Sequence, residues 1–98
     1  MIDMDAEEIV LNIAVNMGRI GRFASEGRGN RVKQFLLETQ EYLGKLGQAT
    51  KSERFMPTYN RFKTSLESLS RNIRLDEDWA EDAFTWANIL THRAKLAS

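Results

Sequence analysis

Apolar residues recur at alternating three- and four-residue intervals in four separate stretches of this 98-residue chain. This spacing places them on one face of an α-helix, because a helix completes a turn every 3.6 residues. No stretch alternates polar and apolar residues over a useful length, as a half-buried β-strand would. The pattern predicts an all-α protein whose helices bury their apolar faces against one another.

The four stretches predict helices over residues 5–25, 31–47, 55–73 and 77–96. Short connections favour antiparallel neighbours, so we expect an up-and-down four-helix bundle. Residues 1–98 should form one domain, since a chain of this length has room for a single core. In chain order, the residues predicted to face that core are Ala6, Ile9, Ile13, Met17, Ile20 and Ala24; Val32, Phe35, Leu36, Thr39, Tyr42, Leu43 and Leu46; Phe55, Tyr59, Phe62, Leu66, Leu69 and Ile73; and Trp79, Ala83, Trp86, Ala87, Leu90 and Ala94.

Several helix ends carry sequence signals. Asn30 and Asp76 are the expected N-caps of the second and fourth helices, because their side chains can accept a hydrogen bond from a free backbone N–H. Gly27 and Gly29 are both expected to help end the first helix, since glycine adopts the left-handed conformation readily. Pro57 leaves the start of the third helix open, because a proline inside a helix loses a backbone hydrogen bond. We expect that helix to start within 54–57.

Composition excludes several classes of protein. The chain has 14 basic and 14 acidic residues, no cysteine and one histidine, His92. It therefore cannot form disulfides, and one histidine is too few for an ordinary zinc site. The acidic stretch 1–5 lacks the basic start of a secretory signal, and the longest apolar run, 9–11, is too short to cross a bilayer. We expect a cytoplasmic protein that does not enter the membrane.

Two helices carry apolar or small residues away from their core faces. Leu11, Val15 and Gly18 share one side of the first helix, and Leu37 and Gly44 share one side of the second. One interpretation is that the first helix is central and is covered by its neighbours on two sides. The other is that these residues contact a second copy of the chain in a homo-oligomer. The sequence leaves both interpretations open.

The first turn is surrounded by basic residues: Arg19, Arg22, Arg28, Arg31 and Lys33. Such a cluster can bind an anion or a nucleic acid. In an up-and-down bundle, however, the first and third turns lie at the same end, so the acidic segment 76–82 should be close. The sequence therefore favours mutual neutralisation of the two groups over a nucleic-acid site.

No set of residues predicts a catalytic, cofactor or metal site. His92 should lie on the polar side of the fourth helix, with no partners for a catalytic triad. Two carboxylate pairs, Glu38 with Glu41 and Asp78 with Glu81, have the i, i+3 spacing that can hold Mg²⁺ for phosphate chemistry. The first pair should face water, opposite the core stripe of its helix.

These patterns favour a small non-enzymatic helical interaction protein, homo-oligomeric, that binds another macromolecule whose identity the sequence does not reveal. The first alternative is a nucleic-acid-associated regulator or complex subunit that uses the basic cluster. A further alternative is a Mg²⁺-dependent nucleotide phosphohydrolase built on the carboxylate pairs.

Overall fold

The computed structural model describes residues 4–98 and confirms the predicted all-α four-helix bundle. The helices are α1 (Ala6–Ser25), α2 (Gly29–Gln48), α3 (Met56–Arg71) and α4 (Glu77–Arg93). Short 3₁₀ turns at Glu53–Phe55 and Ala94–Ala97 precede α3 and follow α4. No β-strand occurs within residues 4–98.

Helix α1 lies between α2 and α4, and its backbone approaches both closely. Helix α3 completes the bundle through longer side chains. The Phe62 ring packs edge-on against Trp86 of α4, with 5.3 Å between ring centroids. Arg93 Nη1 of α4 donates a 2.9 Å hydrogen bond to Thr58 Oγ1 of α3. The close pairs are therefore α1–α2 and α1–α4, with α3 held by large side chains.

The core of α1 is wider than its three-four stripe. All six predicted stripe residues are buried. Five further α1 positions outside that stripe are also buried: Val10, Ala14, Asn16, Gly21 and Phe23. They extend the buried arc to about half of the helix circumference, because α1 is flanked by α2 on one side and by α4 on the other. The central position of α1 thus accounts for these additional buried residues but leaves Leu11 and Val15 exposed.

One glycine makes the turn between α1 and α2. Gly27 has φ 73°, and its N–H donates to the carbonyl of Ala24 at 3.1 Å. The N–H of Arg28 donates to the carbonyl of Phe23 at 2.9 Å. This pair of hydrogen bonds is the Schellman motif, which satisfies the last carbonyls of a helix and reverses the chain. Gly29 has no positive φ and already belongs to α2, so the expected role of a second glycine in this turn is wrong.

The predicted N-cap at Asn30 is also wrong. Helix α2 begins at Gly29, and Arg28 in the cap position makes no side-chain capping bond. The reason is the compactness of the Schellman turn, which brings the chain into the second helix within three residues. The carbonyl of Arg28 already accepts from the N–H of Val32 at 3.1 Å.

The other helix ends follow the sequence signals more closely. Asp76 Oδ1 accepts from the N–H of Trp79 at 2.8 Å, which confirms the predicted N-cap of α4. Helix α3 starts at Met56 with Pro57 in its first turn, inside the predicted window. It ends at Arg71, however, so the predicted extension to residue 73 is wrong. Ile73 is half-buried in the connection to α4.

Candidate functional site

The side of α1 opposite its core carries an apolar stripe formed by Leu11, Val15 and Gly18. Leu11 is 39% exposed and Val15 is 53% exposed. Their spacing puts all three residues on the side of α1 opposite its core. A Cβ atom added at Gly18 would meet no described atom within 4 Å. The apolar stripe is therefore exposed at Leu11 and Val15 and free of side-chain bulk at its Gly18 end.

Leu37 and Gly44 lie on a different surface. Leu37 is 64% exposed, and a Cβ at Gly44 would also point into open space. At about 100° per residue, Leu37 lies about 60° from Gln40 and about 160° from Phe35. Gln40 faces α3, where its Nε2 donates to Ser70 Oγ at 3.0 Å, whereas Phe35 faces α1. The fold therefore separates Leu37 and Gly44 from the apolar stripe.

Phe84 of α4 lies against the backbone of α1 near the apolar stripe. Its side chain is 40% exposed, and a Cβ at Gly21 would come within 2.7–2.9 Å of three atoms of its ring. Gly21 follows Gly18 by one turn. The Phe84 ring thus extends the apolar surface of α1 onto α4, a role that sequence reasoning did not assign to it.

Three arginines around the turn between α1 and α2 pack on two phenyl rings. The Phe23 and Phe35 rings stack with 5.7 Å between centroids and 18° between planes. The guanidinium carbon of Arg19 lies 5.5 Å from the Phe35 centroid. Those of Arg22 and Arg28 lie 5.0 Å and 5.5 Å from the Phe23 centroid. We call these five residues the Arg–Phe face.

The other two basic residues of the predicted cluster, Arg31 and Lys33, point in different directions. Arg31 lies in the first turn of α2, where its Nη1 is 3.4 Å from Gln34 Oε1. Lys33 is two residues further along the same helix, so it points about 160° away from Arg31. Arg19, Arg22 and Arg28 therefore form a group around the rings. Lys33 points away from Arg31.

The sequence could have indicated this face only in part. Phe35 belonged to the predicted core stripe of the second helix, and Phe23 fell outside the stripe of the first. Arg19 and Phe23 have the i, i+4 spacing that brings side chains together on a helix. The stacking of Phe23 on Phe35 depends on how α1 and α2 pack, which no local pattern encodes.

The acidic segment 76–82 lies at the same end of the bundle, as predicted. Leu75 Cδ1, just before it, is 3.4 Å from where a Cβ of Gly29 would be. Within residues 4–98, however, no ion pair joins that segment to Arg19, Arg22 or Arg28. Asp76 pairs with Arg74 at 3.3 Å, and Arg28 pairs with Glu26 at 3.6 Å. The expected neutralisation does not take the form of direct ion pairs.

The carboxylate pairs do not converge. Glu38 and Glu41 line an open depression of about 410 Å³ on the outer face of α2. Asp78 and Glu81 are exposed on α4, which flanks α1 on its other side. In the part of the chain that the structure describes, no three His, Cys, Asp or Glu side chains are grouped to hold a metal ion. His92 is exposed, with its Nδ1 2.8 Å from the backbone carbonyl oxygen of Asn88.

No family model, curated protein or solved structure matches the chain. None of the helices described in residues 4–98 combines the length and apolarity that a membrane span requires. Two surfaces remain as candidates for function: the apolar stripe of α1, and the Arg–Phe face, which α1, α2 and the turn between them form.

Proposed function

We propose that the chain is a non-enzymatic helical interaction protein that self-associates through the apolar stripe and, as an assembly, binds another macromolecule. The observation that carries the proposal is the exposure of Leu11 and Val15, one turn apart beside a glycine with open space above it. Exposed apolar groups arranged on one helix face favour burial against a partner.

Gly18 supports the same proposal. A glycine inside a helix costs about 0.5–1 kcal/mol relative to alanine. Nothing among the described residues needs the missing side chain, since the space above Gly18 is empty. A helix of a second copy packed on the apolar stripe would use that space. Gly21, one turn away, already serves this purpose within the chain, because the Phe84 ring lies against it.

The size of the chain adds a thermodynamic reason for self-association. Domains of this length bury a modest fraction of their unfolded surface, so small scaffolds often gain stability from oligomerisation. Complete burial of a fully exposed Leu or Val side chain contributes about 1.5–3 kcal/mol, and Leu11 and Val15, which are 39% and 53% exposed, could each gain roughly half of that. A symmetric contact would bury the apolar stripe of both copies, so each side chain would contribute twice to the free energy of association.

Sedimentation equilibrium tests the proposal with the variant Gly18→Leu. The leucine would point into open space and remove a helix-breaking glycine, so the isolated fold should be retained, while close approach of a second helix is blocked. We expect the wild-type chain to form a dimer or larger assembly and Gly18→Leu to be monomeric with an unchanged helical circular dichroism spectrum. Leu11→Glu combined with Val15→Glu should dissociate the assembly in the same way.

Leu75→Glu is the matched control. Leu75 is 46% exposed but lies beside Gly29, at the turn end of the bundle. This variant should retain the wild-type assembly. A wild-type protein that stays monomeric at high concentration would refute the proposal, as would equal dissociation by Leu75→Glu and Gly18→Leu.

A further inference from the structure

The guanidinium groups of the Arg–Phe face retain most of their hydrogen-bonding capacity. An arginine side chain carries five N–H donors. Among residues 4–98, Arg19 makes one side-chain hydrogen bond, from its Nη1 to Asn16 Oδ1 at 3.4 Å, and Arg28 makes one ion pair, with Glu26 at 3.6 Å. Arg22 lies over the Phe23 ring without a carboxylate partner in this part of the chain. The face therefore offers many donors to an acceptor that comes from outside.

The two phenyl rings hold these donors in place. Phe23 is only 8% exposed, and Phe35 is packed against the core, so the rings form a fixed base. A guanidinium that stacks on an aromatic ring directs its N–H groups sideways, where they can still bind an oxyanion in a bidentate manner. Less side-chain entropy is lost on binding when the side chain is already held.

We propose that the Arg–Phe face binds single-stranded nucleic acid through its phosphodiester backbone. Each phosphate can accept a bidentate pair from one arginine, and a flexible strand can follow the series of guanidinium groups around the stacked rings. Nucleobases can also stack on guanidinium planes, an interaction that the carboxylates of an acidic protein cannot make. Among residues 4–98, the acidic segment 76–82 forms no ion pair with the three arginines, and Arg28 pairs only with Glu26 of its own turn.

The acidic segment 76–82 limits the affinity that we expect for nucleic acid. It lies at the neighbouring turn, and the chain as a whole has zero net charge, so long-range attraction of a polyanion is weak. Binding should be modest in affinity, short in range and strongly dependent on salt. These residues differ from those of the apolar stripe, although Arg22 follows Gly18 by one helical turn, so the two proposals are tested with separate substitutions.

Fluorescence anisotropy with labelled oligouridylate and oligothymidylate tests the proposal. For a single strand, the logarithm of the binding constant falls by about 0.7 per contacted phosphate for each tenfold rise in salt concentration. Three contacts then predict about a 100-fold loss over that range. Binding of both strands would assign the contacts to the shared phosphate backbone, and tighter binding of the RNA would add a contact to its 2′-hydroxyl groups.

Two charge-matched triple variants separate the face from general electrostatics. Arg19→Gln, Arg22→Gln and Arg28→Gln together should weaken binding at least tenfold. Lys33→Gln, Lys63→Gln and Lys95→Gln together remove the same charge elsewhere and should weaken it by less than threefold. The set Arg19→Lys, Arg22→Lys and Arg28→Lys preserves the charge and should lie between these results, because lysine lacks the planar fork.

Three results would overturn the proposal. The first is no detectable binding at low salt by a wild-type protein that melts cooperatively. The second is an equal loss in the two glutamine variants, which would indicate non-specific attraction. The third is displacement of the oligonucleotide by polyglutamate at equal charge concentration, which would assign the face to an acidic protein segment.

Discussion

The contact between Gly21 and Phe84 gives a quantitative test of how α1 packs on α4. In Gly21→Ala, the new methyl group would lie 2.7–2.9 Å from three atoms of the Phe84 ring. Alanine in a helix interior is worth about 0.5–1 kcal/mol more than glycine. Overpacking at a filled contact costs about 1–3 kcal/mol. Because the ring is 40% exposed and can shift outward, we expect a cost toward the lower end of that range.

Gly44→Ala is the matched control for this substitution. It is the same change inside a helix, at a position where a Cβ meets no described atom within 4 Å. It should therefore show only the stabilising propensity gain. The free energy of unfolding of Gly44→Ala should exceed that of Gly21→Ala by about 1 kcal/mol, the overpacking cost at the lower end of its range.

Thermal melts followed by circular dichroism at 222 nm can resolve this difference. For a domain of this size, about 1 kcal/mol shifts the midpoint by about 4–8 °C. In a Phe84→Ala background the clash is absent, so Gly21→Ala should then stabilise the protein as Gly44→Ala does. Equal midpoints for Gly21→Ala and Gly44→Ala in the wild-type background would refute the close approach of α1 and α4 at this point.

Three further substitutions should change stability in ways that equilibrium urea unfolding can measure. Asp76→Ala removes the 2.8 Å N-cap bond of α4 and should cost about 1 kcal/mol, whereas no loss would mean that the cap is not formed. Leu66→Ala opens a cavity at a side chain that is 1% exposed and should cost about 2–5 kcal/mol, and a smaller loss would place Leu66 outside the core. Asn16→Ala removes a buried Nδ2 that has no hydrogen-bond partner among residues 4–98, so its cost should be below about 1 kcal/mol, and a larger loss would indicate a partner for that group.

The sequence predicted those features of the fold that depend on local periodicity. The stripe from Ala6 to Ala24 identified a face of α1 that is fully buried, and the Asp76 signal located the start of α4. Both follow from short-range rules, helix period and side-chain capping, that hold whatever the helix packs against. The third helix was placed correctly at its start because Pro57 is compatible with a first turn.

The sequence failed where the arrangement depends on neighbouring helices. Val10 and Phe23 are buried only because α1 is enclosed by α2 and α4, a fact that its own period does not contain. Lys51 is a separate, local case: its Nζ donates to the carbonyls of Leu46 and Ala49 at 2.7 and 3.0 Å and so caps the end of α2 from beyond it. A lysine between two predicted helices carries no signal for such a role.

The candidate functional surfaces likewise divide into features that follow from local sequence pattern and features that depend on helix packing. Exposure of Leu11 and Val15 could be expected from their position opposite the core stripe. The separation of Leu37 from them required knowledge of which flank of α2 faces α3. The pairing of Arg19 with Phe35 likewise depends on the α1–α2 contact, since the two residues are far apart in the chain.

A concentration series of two-dimensional ¹H–¹⁵N NMR spectra tests most directly whether the outer face of α1 is an interaction surface. With rising protein concentration, we predict that the amide signals of Leu11, Val15 and Gly18 shift or broaden, while those of Leu75 and Gly44 stay in place. Unchanged signals along α1, or changes confined to α3, would contradict the account.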